Sequence, residues 1–169
     1  MLPEPLIDIT GVDAGRFEFG IDEIRTVNPH RFEFEMIDGI VRFSREPLSA
    51  IALKRIRGDQ WWCRGHLPGN PIFPGVLMIE AGAQTASFCF HKEFGKIEGK
   101  FFGFGGIEDV KFRGAVKPGD DLILVVRSEV CRMRRAVFNM QGYVGSRLVV
   151  ESKIIGVTVP WNQEAETGA

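Results

Sequence analysis

From Pro74 to about Phe90 the chain reads PGVLMIEAGAQTASFCF, with apolar residues on every side of a helical wheel. A helix that is apolar all round is a buried helix. Pro74 suits its first turn. The rest of the chain therefore has to cover this helix on all sides, and what surrounds it reads as strand. PLSAIALKRI (47–56) reads as a strand, and KFFGFGGIEDVKFRGAV (100–116) as a long, bent one. Lys117-Pro118-Gly119-Asp120 is a strong turn signal. Residues 121–133, 135–145 and 147–159 then follow at short intervals as an antiparallel meander. The expected class is α+β: one long central helix wrapped by a curved antiparallel sheet.

The earlier segments are less regular. IDEIRTVNPHR (21–31) reads as a short helix stopped before Pro29. FEFEMIDGIV alternates apolar and acidic residues, with Asp38-Gly39 as a turn or bulge signal. Residues 1–19 form a mixed N-terminal arm, and the polar tail at 160–169 is expected to fray. No repeat or linker divides the chain, so residues 1–169 read as a single domain.

Bulk properties exclude several function classes. With 44% hydrophobic and 25% charged residues, the composition is that of an ordinary globular protein. A net charge of -1 gives no overall drive toward nucleic acid or an anionic membrane. No apolar run reaches membrane-spanning length, and the start of the chain lacks a signal pattern, so a cytoplasmic location is expected. Cys63, Cys89 and Cys131 are odd in number and widely spaced, which fits reduced thiols rather than a disulfide framework. His30, His66 and His91 show no metal-ligand spacing, so no metal is expected.

Glu80 is the one acid in the apolar helix. An unpartnered buried carboxylate costs several kcal/mol, so such a group finds a partner or keeps its proton. Gln84, one turn on, is a candidate neighbour. A solvent-facing sliver or a nearby arginine would serve equally well. His66 sits in a loop dense in Pro68, Pro71, Pro74, Gly65, Gly69 and Gly75. Such density fixes a loop, since proline sets φ and glycine supplies otherwise inaccessible conformations. A lone loop histidine is otherwise an ordinary surface residue. Gly75 adds a helix-start amide with no intrahelical acceptor, which a substrate carbonyl can approach closely. A base, an acid and an oxyanion donor are what is needed to remove a proton α to a carbonyl and expel a β-hydroxyl, without metal or cofactor.

GHLPGNPIFPGVLMIEAGAQ resembles the active-site signature of the 3-hydroxyacyl-[acyl-carrier-protein] dehydratases, which have the hotdog fold. His66, Pro68, Gly69, Pro71, Pro74, Gly75, Val76, Leu77, Glu80 and Gln84 occupy the signature positions. NPHRFEFEMID and VKFRGAVKPGDDLIL are similar to flanking segments of the same family, so the likeness covers residues 20–159. The resemblance implies dehydration of (3R)-3-hydroxyacyl-carrier protein to the trans-2-enoyl form plus water, in fatty acid biosynthesis. His66 would be the general base and Glu80 the general acid. Gly75, Val76, Gln84 and Phe73 would line the substrate. It also implies a homodimer, or a trimer of dimers, with each site shared between protomers. Glutamate at position 80 is similar to the plain dehydratases rather than to the branch that also isomerises the double bond. Leu67, Phe73 and the bulky run after Gln84 depart from the pattern and bear on chain length.

An acidic acyl carrier protein needs local positive charge. Arg132, Arg134 and Arg135 at a strand turn, Lys111 and Arg113 on the strand before, and Arg31 are the candidates, against the alternative of a solvated hairpin end. Two other functions fit the same chain: acyl-thioester hydrolysis, which does not need His66, and a non-catalytic acyl-binding paralogue.

Overall fold

The structure, a computed structural model, describes residues 3–161. It is the expected α+β arrangement. A 20-residue helix, α2 (Gly75–Phe94), is covered by one antiparallel sheet. The strands are β1 (Gly39–Arg45), β2 (Leu48–Arg55), β3 (Lys100–Phe112), β4 (Asp121–Arg132), β5 (Arg135–Val144) and β6 (Arg147–Pro160), in spatial order β1-β2-β4-β5-β6-β3. Helix α2 touches all six. The expected meander is present as β4-β5-β6, and β3 closes onto β6 as an edge strand. Register shifts at Phe104/Gly106 and Glu108/Lys111 bend β3, as its glycines suggested.

Helix α2 lies close on the sheet because of Gly82. A Cβ there would come within 2.5 Å of the Met140 side chain. The helix runs one turn past Phe90 and stops at Gly95, whose φ of 75° and N–H to His91 carbonyl bond make the C-terminal cap. That last turn, His91–Phe94, is polar enough to have hidden the continuation.

Helix α1 (Ile21–Arg25) is the expected short helix stopped before Pro29, with Thr26 as its C-terminal cap. Asn28 then turns inward, donating from Nδ2 to the Gln84 carbonyl at 2.9 Å, which a continuous helix would not allow. In FEFEMIDGIV, Phe32–Phe34 forms a short 3₁₀ turn and the strand begins only at Gly39. Gln84 explains this: its Nε2 donates to the Phe34 carbonyl at 2.8 Å, and its Oε1 accepts from Met36 N–H at 3.0 Å. One side chain of the central helix takes the groups a neighbouring strand would otherwise bond.

Strand β2 is buried along almost its whole length, on both faces. Ala50 and Ala52 face the helix. Ile51 and Leu53 face outward, where Ile123, Val125, Tyr143 and Leu148 join them in a second core. The N-terminal arm covers that core through Leu6, Ile7, Ile9, Val12 and Phe17. Gln141 fastens the arm, accepting from Leu6 N–H at 2.8 Å and donating to the Glu4 carbonyl at 3.0 Å. The expected frayed tail lies, apart from Pro160 and Trp161, outside the described residues.

Candidate active site

The loop before α2 is rigid, as its composition requires. His66 N–H donates to the Trp62 carbonyl, and Ile72 N–H to the His66 carbonyl. Phe73 anchors the loop: it is 1% exposed and packs edge-on against Trp62 with centroids 5.3 Å apart. Phe73 is thus a structural anchor, and within one chain it does not line the cavity that holds Glu80. Burying a large aromatic is what holds the loop to the core.

The imidazole of His66 is exposed, with Nδ1 2.7 Å from the Ile72 carbonyl oxygen. A carbonyl only accepts, so Nδ1 carries the proton and Nε2 has its lone pair free. That is the tautomer of a general base. Gly75 and Val76 follow at the open start of α2, with Val76 72% exposed. The ring of Phe112, from β3, lies so close to Gly75 that a Cβ there would meet it at 2.7 Å. Only glycine fits beneath that ring.

Glu80 lies five residues further along α2, which turns it about 140° around the helix from Gly75. It opens into an apolar cavity of about 430 Å³, between α2 and the start of β3. Gln84, Phe101, Phe104 and Ile154 line this space with it. Glu80 Oε1 accepts from Gln84 Nε2 at 2.8 Å, so the expected partner is the one found. His30 Nε2 lies 3.4 Å from the same oxygen. Its Nδ1 is buried with no hydrogen-bond partner, which places the ring proton on Nε2, toward the carboxyl. Burial, partly offset by Glu80, holds the His30 pKa below its ordinary value and so favours the neutral ring. Two donors on Oε1 leave Oε2 as the oxygen that can hold and release a proton.

His30 was given no role from the sequence. The signal was its place in NPHRF, a segment already similar to the family. What spacing cannot reveal is that Asn28, Phe34 and Met36 all bond Gln84 and so hold this segment against α2 at Glu80.

Within one chain, Glu80, Gln84 and His30 come together, while Gly75 and Val76 open the helix and His66 lies in the loop before it. The cavity around Glu80 does not include His66. The arginines divide as well. Arg132 and Arg135 pair across the β4–β5 hairpin with Arg134 in its turn. Arg135 aligns through Val157 with Gly103, near the Lys100 end of β3. Lys111 and Arg113 are at the other end of β3, both paired with Glu151, about 20 Å away along the strand. The candidates thus form two separate groups, because the length of β3 stands between them. Arg31 bonds the carbonyls of Arg25, Asn28 and His30 and serves as a brace for the His30 segment.

The thiols are free. Burial pushes Cys89 well up and Cys131 up to about 11, so neither is a nucleophile near neutrality. Among the described residues no group of three His, Cys, Asp or Glu side chains has the arrangement of a metal site. No helix among them is long and apolar enough to cross a membrane.

Comparison with known proteins shows the fold and the family. Among solved structures, the dehydratase heterocomplex ApeI:P from Xenorhabdus doucetiae matches with a TM-score of 0.69 at 14% identity, over 83% of this chain and 91% of that one. A thioesterase superfamily member from Thermus thermophilus matches with a TM-score of 0.56 at 15% identity, over 68% of this chain and 83% of that one. These show the hotdog fold. In sequence, the chain is 36% identical to the 3-hydroxyacyl-[acyl-carrier-protein] dehydratase FabZ of Escherichia coli strain HS, over 80% of this chain and 89% of that protein. It is also 36% identical to the bifunctional enzyme LpxC/FabZ of Chlorobaculum tepidum, over 83% of this chain but only 30% of that longer protein. Residues 28–153 match the model of the FabA-like domain, and the chain belongs to this FabA-like, hotdog-fold family of 3-hydroxyacyl-[acyl-carrier-protein] dehydratases.

Proposed function

We propose that this protein removes water from a 3-hydroxyacyl thioester of acyl carrier protein, giving the trans-2-enoyl thioester in fatty acid synthesis, at a site built by two copies of the chain. The observation that carries this is the Glu80 carboxyl. It is held on one oxygen by Gln84 and His30 and faces an apolar cavity. An acid so placed serves a substrate with a long apolar chain and a hydroxyl to expel.

The base comes from the second copy. Strand β3 is a sheet edge carrying exposed Phe104, Ile107, Val110 and Phe112. An edge of this kind is a template for another strand. Antiparallel pairing of two β3 edges lays the Phe112 end of one copy beside the Phe101 end of the other. His66 and Gly75 of one copy then approach the Glu80 cavity of its partner. Lys111 and Arg113 likewise approach the partner's Lys100 and Arg134, which rejoins the two basic groups as a docking surface for an acidic carrier.

In the reaction, His66 Nε2 takes the Cα proton. The electron pair released forms the Cα–Cβ double bond, the Cβ–O bond breaks, and Glu80 Oε2 donates its proton to the departing hydroxyl as water. Gly75 N–H donates to the thioester oxygen as negative charge develops there. His66 then returns its extra proton, through solvent, to Glu80. The test is hydration of a crotonyl thioester, followed by loss of ultraviolet absorbance. Release of free thiol instead indicates a hydrolase, and no change with either readout a binding protein.

A further inference from the structure

The cavity that holds Glu80 follows one stripe of α2: Glu80, Ala83, Gln84 and Ser87. At 1.5 Å per residue this stripe is about 10 Å long. The next residue on the stripe, His91, lines a different cavity of about 690 Å³, whose rim carries Arg31, Lys96 and Lys100. Pro29, Phe101 and Trp161 line both cavities. Phe101 and Trp161 meet edge to face with centroids 5.4 Å apart. Trp161 is held there by its backbone, its N–H donating to the Gly99 carbonyl at 2.8 Å.

We propose that the Phe101–Trp161 pair is the wall that ends the acyl pocket and so sets the longest chain the protein accepts. The proposal rests on the acyl-thioester reading of the Glu80 site. The chemistry on the two sides of the wall favours it. On the near side the space is lined mainly by apolar groups, the phenylalanines of β3 and Ile154, which suits methylenes. On the far side lie Arg25, Arg31, Lys96 and Lys100 with Glu98, and an alkyl chain that reaches them strips water from charged groups. Trp161 is 50% exposed, so removing its ring opens a passage toward solvent without emptying the core. Its backbone bond to Gly99 survives substitution.

The test compares saturated acyl thioesters of N-acetylcysteamine with eight and sixteen carbons. Binding to wild type, Trp161→Ala and Phe101→Ala is measured by calorimetry, and turnover of the matching 3-hydroxyacyl forms is measured alongside. Each methylene accommodated or refused is worth about tenfold or more in selectivity. Both substitutions are therefore expected to raise the sixteen-to-eight ratio of affinities at least about tenfold, with Trp161→Phe close to wild type. An unchanged ratio, or equal change at both lengths, overturns the wall. A shifted binding ratio with no dehydration at any length leaves the wall standing and overturns the dehydratase reading instead.

Discussion

At the scale of single residues, the proposed roles differ in how they fail. His66→Ala removes the proton acceptor and Glu80→Gln the proton donor. Each is expected to lower kcat about 10²–10⁴-fold with the thermal transition unchanged, since neither side chain belongs to the core. A steady-state assay with a melting curve checks both. His30 and His91 give a second, independent signature. Burial holds both below the ordinary histidine value. In the range below about 6.5 the unfolded chain binds more protons than the folded one, so stability is full above that pH and declines as pH falls. Denaturant midpoints taken from pH 7.5 to 5 are expected to fall, and to fall less steeply in His30→Gln/His91→Gln. The proposed base and acid, His66 and Glu80, stood out in the sequence because each contradicts its surroundings: a histidine in a stiffened loop, an acid in an apolar helix. His30 contradicts nothing locally. Its position depends on Gln84 folding a distant segment over α2, a contact between residues about fifty positions apart.

At the scale of elements, α2 and the late strands were legible because each buries one continuous pattern. The arm was not, because its partner is a face, and the sequence shows that face only as the unbroken apolar run of β2. Alternation would have marked a strand wet on one side; LSAIALK marks one covered on both. Removing residues 1–15 uncovers Ile51, Leu53, Ile123 and Val125, all 9% exposed or less. A buried aliphatic side chain is worth roughly 1.5–3 kcal/mol. The arm covers such groups only on one side, so the truncated protein is expected to lose about 3 kcal/mol or to self-associate through the bare face. Urea unfolding and light scattering distinguish these from an arm that only decorates the sheet.

For the whole molecule, the proposed pairing of β3 edges has a sharp consequence. His66→Ala and Glu80→Gln chains, each inactive alone, are expected to regain activity when their subunits are exchanged, because a mixed dimer contains one site with both residues intact. A quarter of the wild-type rate is the expected ceiling at equal mixing, since about half the dimers are mixed and each has one working site of two. Activity that stays at background after mass spectrometry confirms mixed dimers would exclude the shared site.

The contact between Phe112 and Gly75 reaches further than the two residues. Phe112 stands at the end of the edge strand, and its ring occupies the space a side chain on Gly75 would need. In the proposed dimer a partner strand holds that end, and a solitary chain lacks both this support and half of each site. Dosage then becomes a control in its own right. In a cell holding the protein below its self-association constant, halving its amount cuts the working enzyme to nearly a quarter, so a gentle change in expression becomes a steep change in flux.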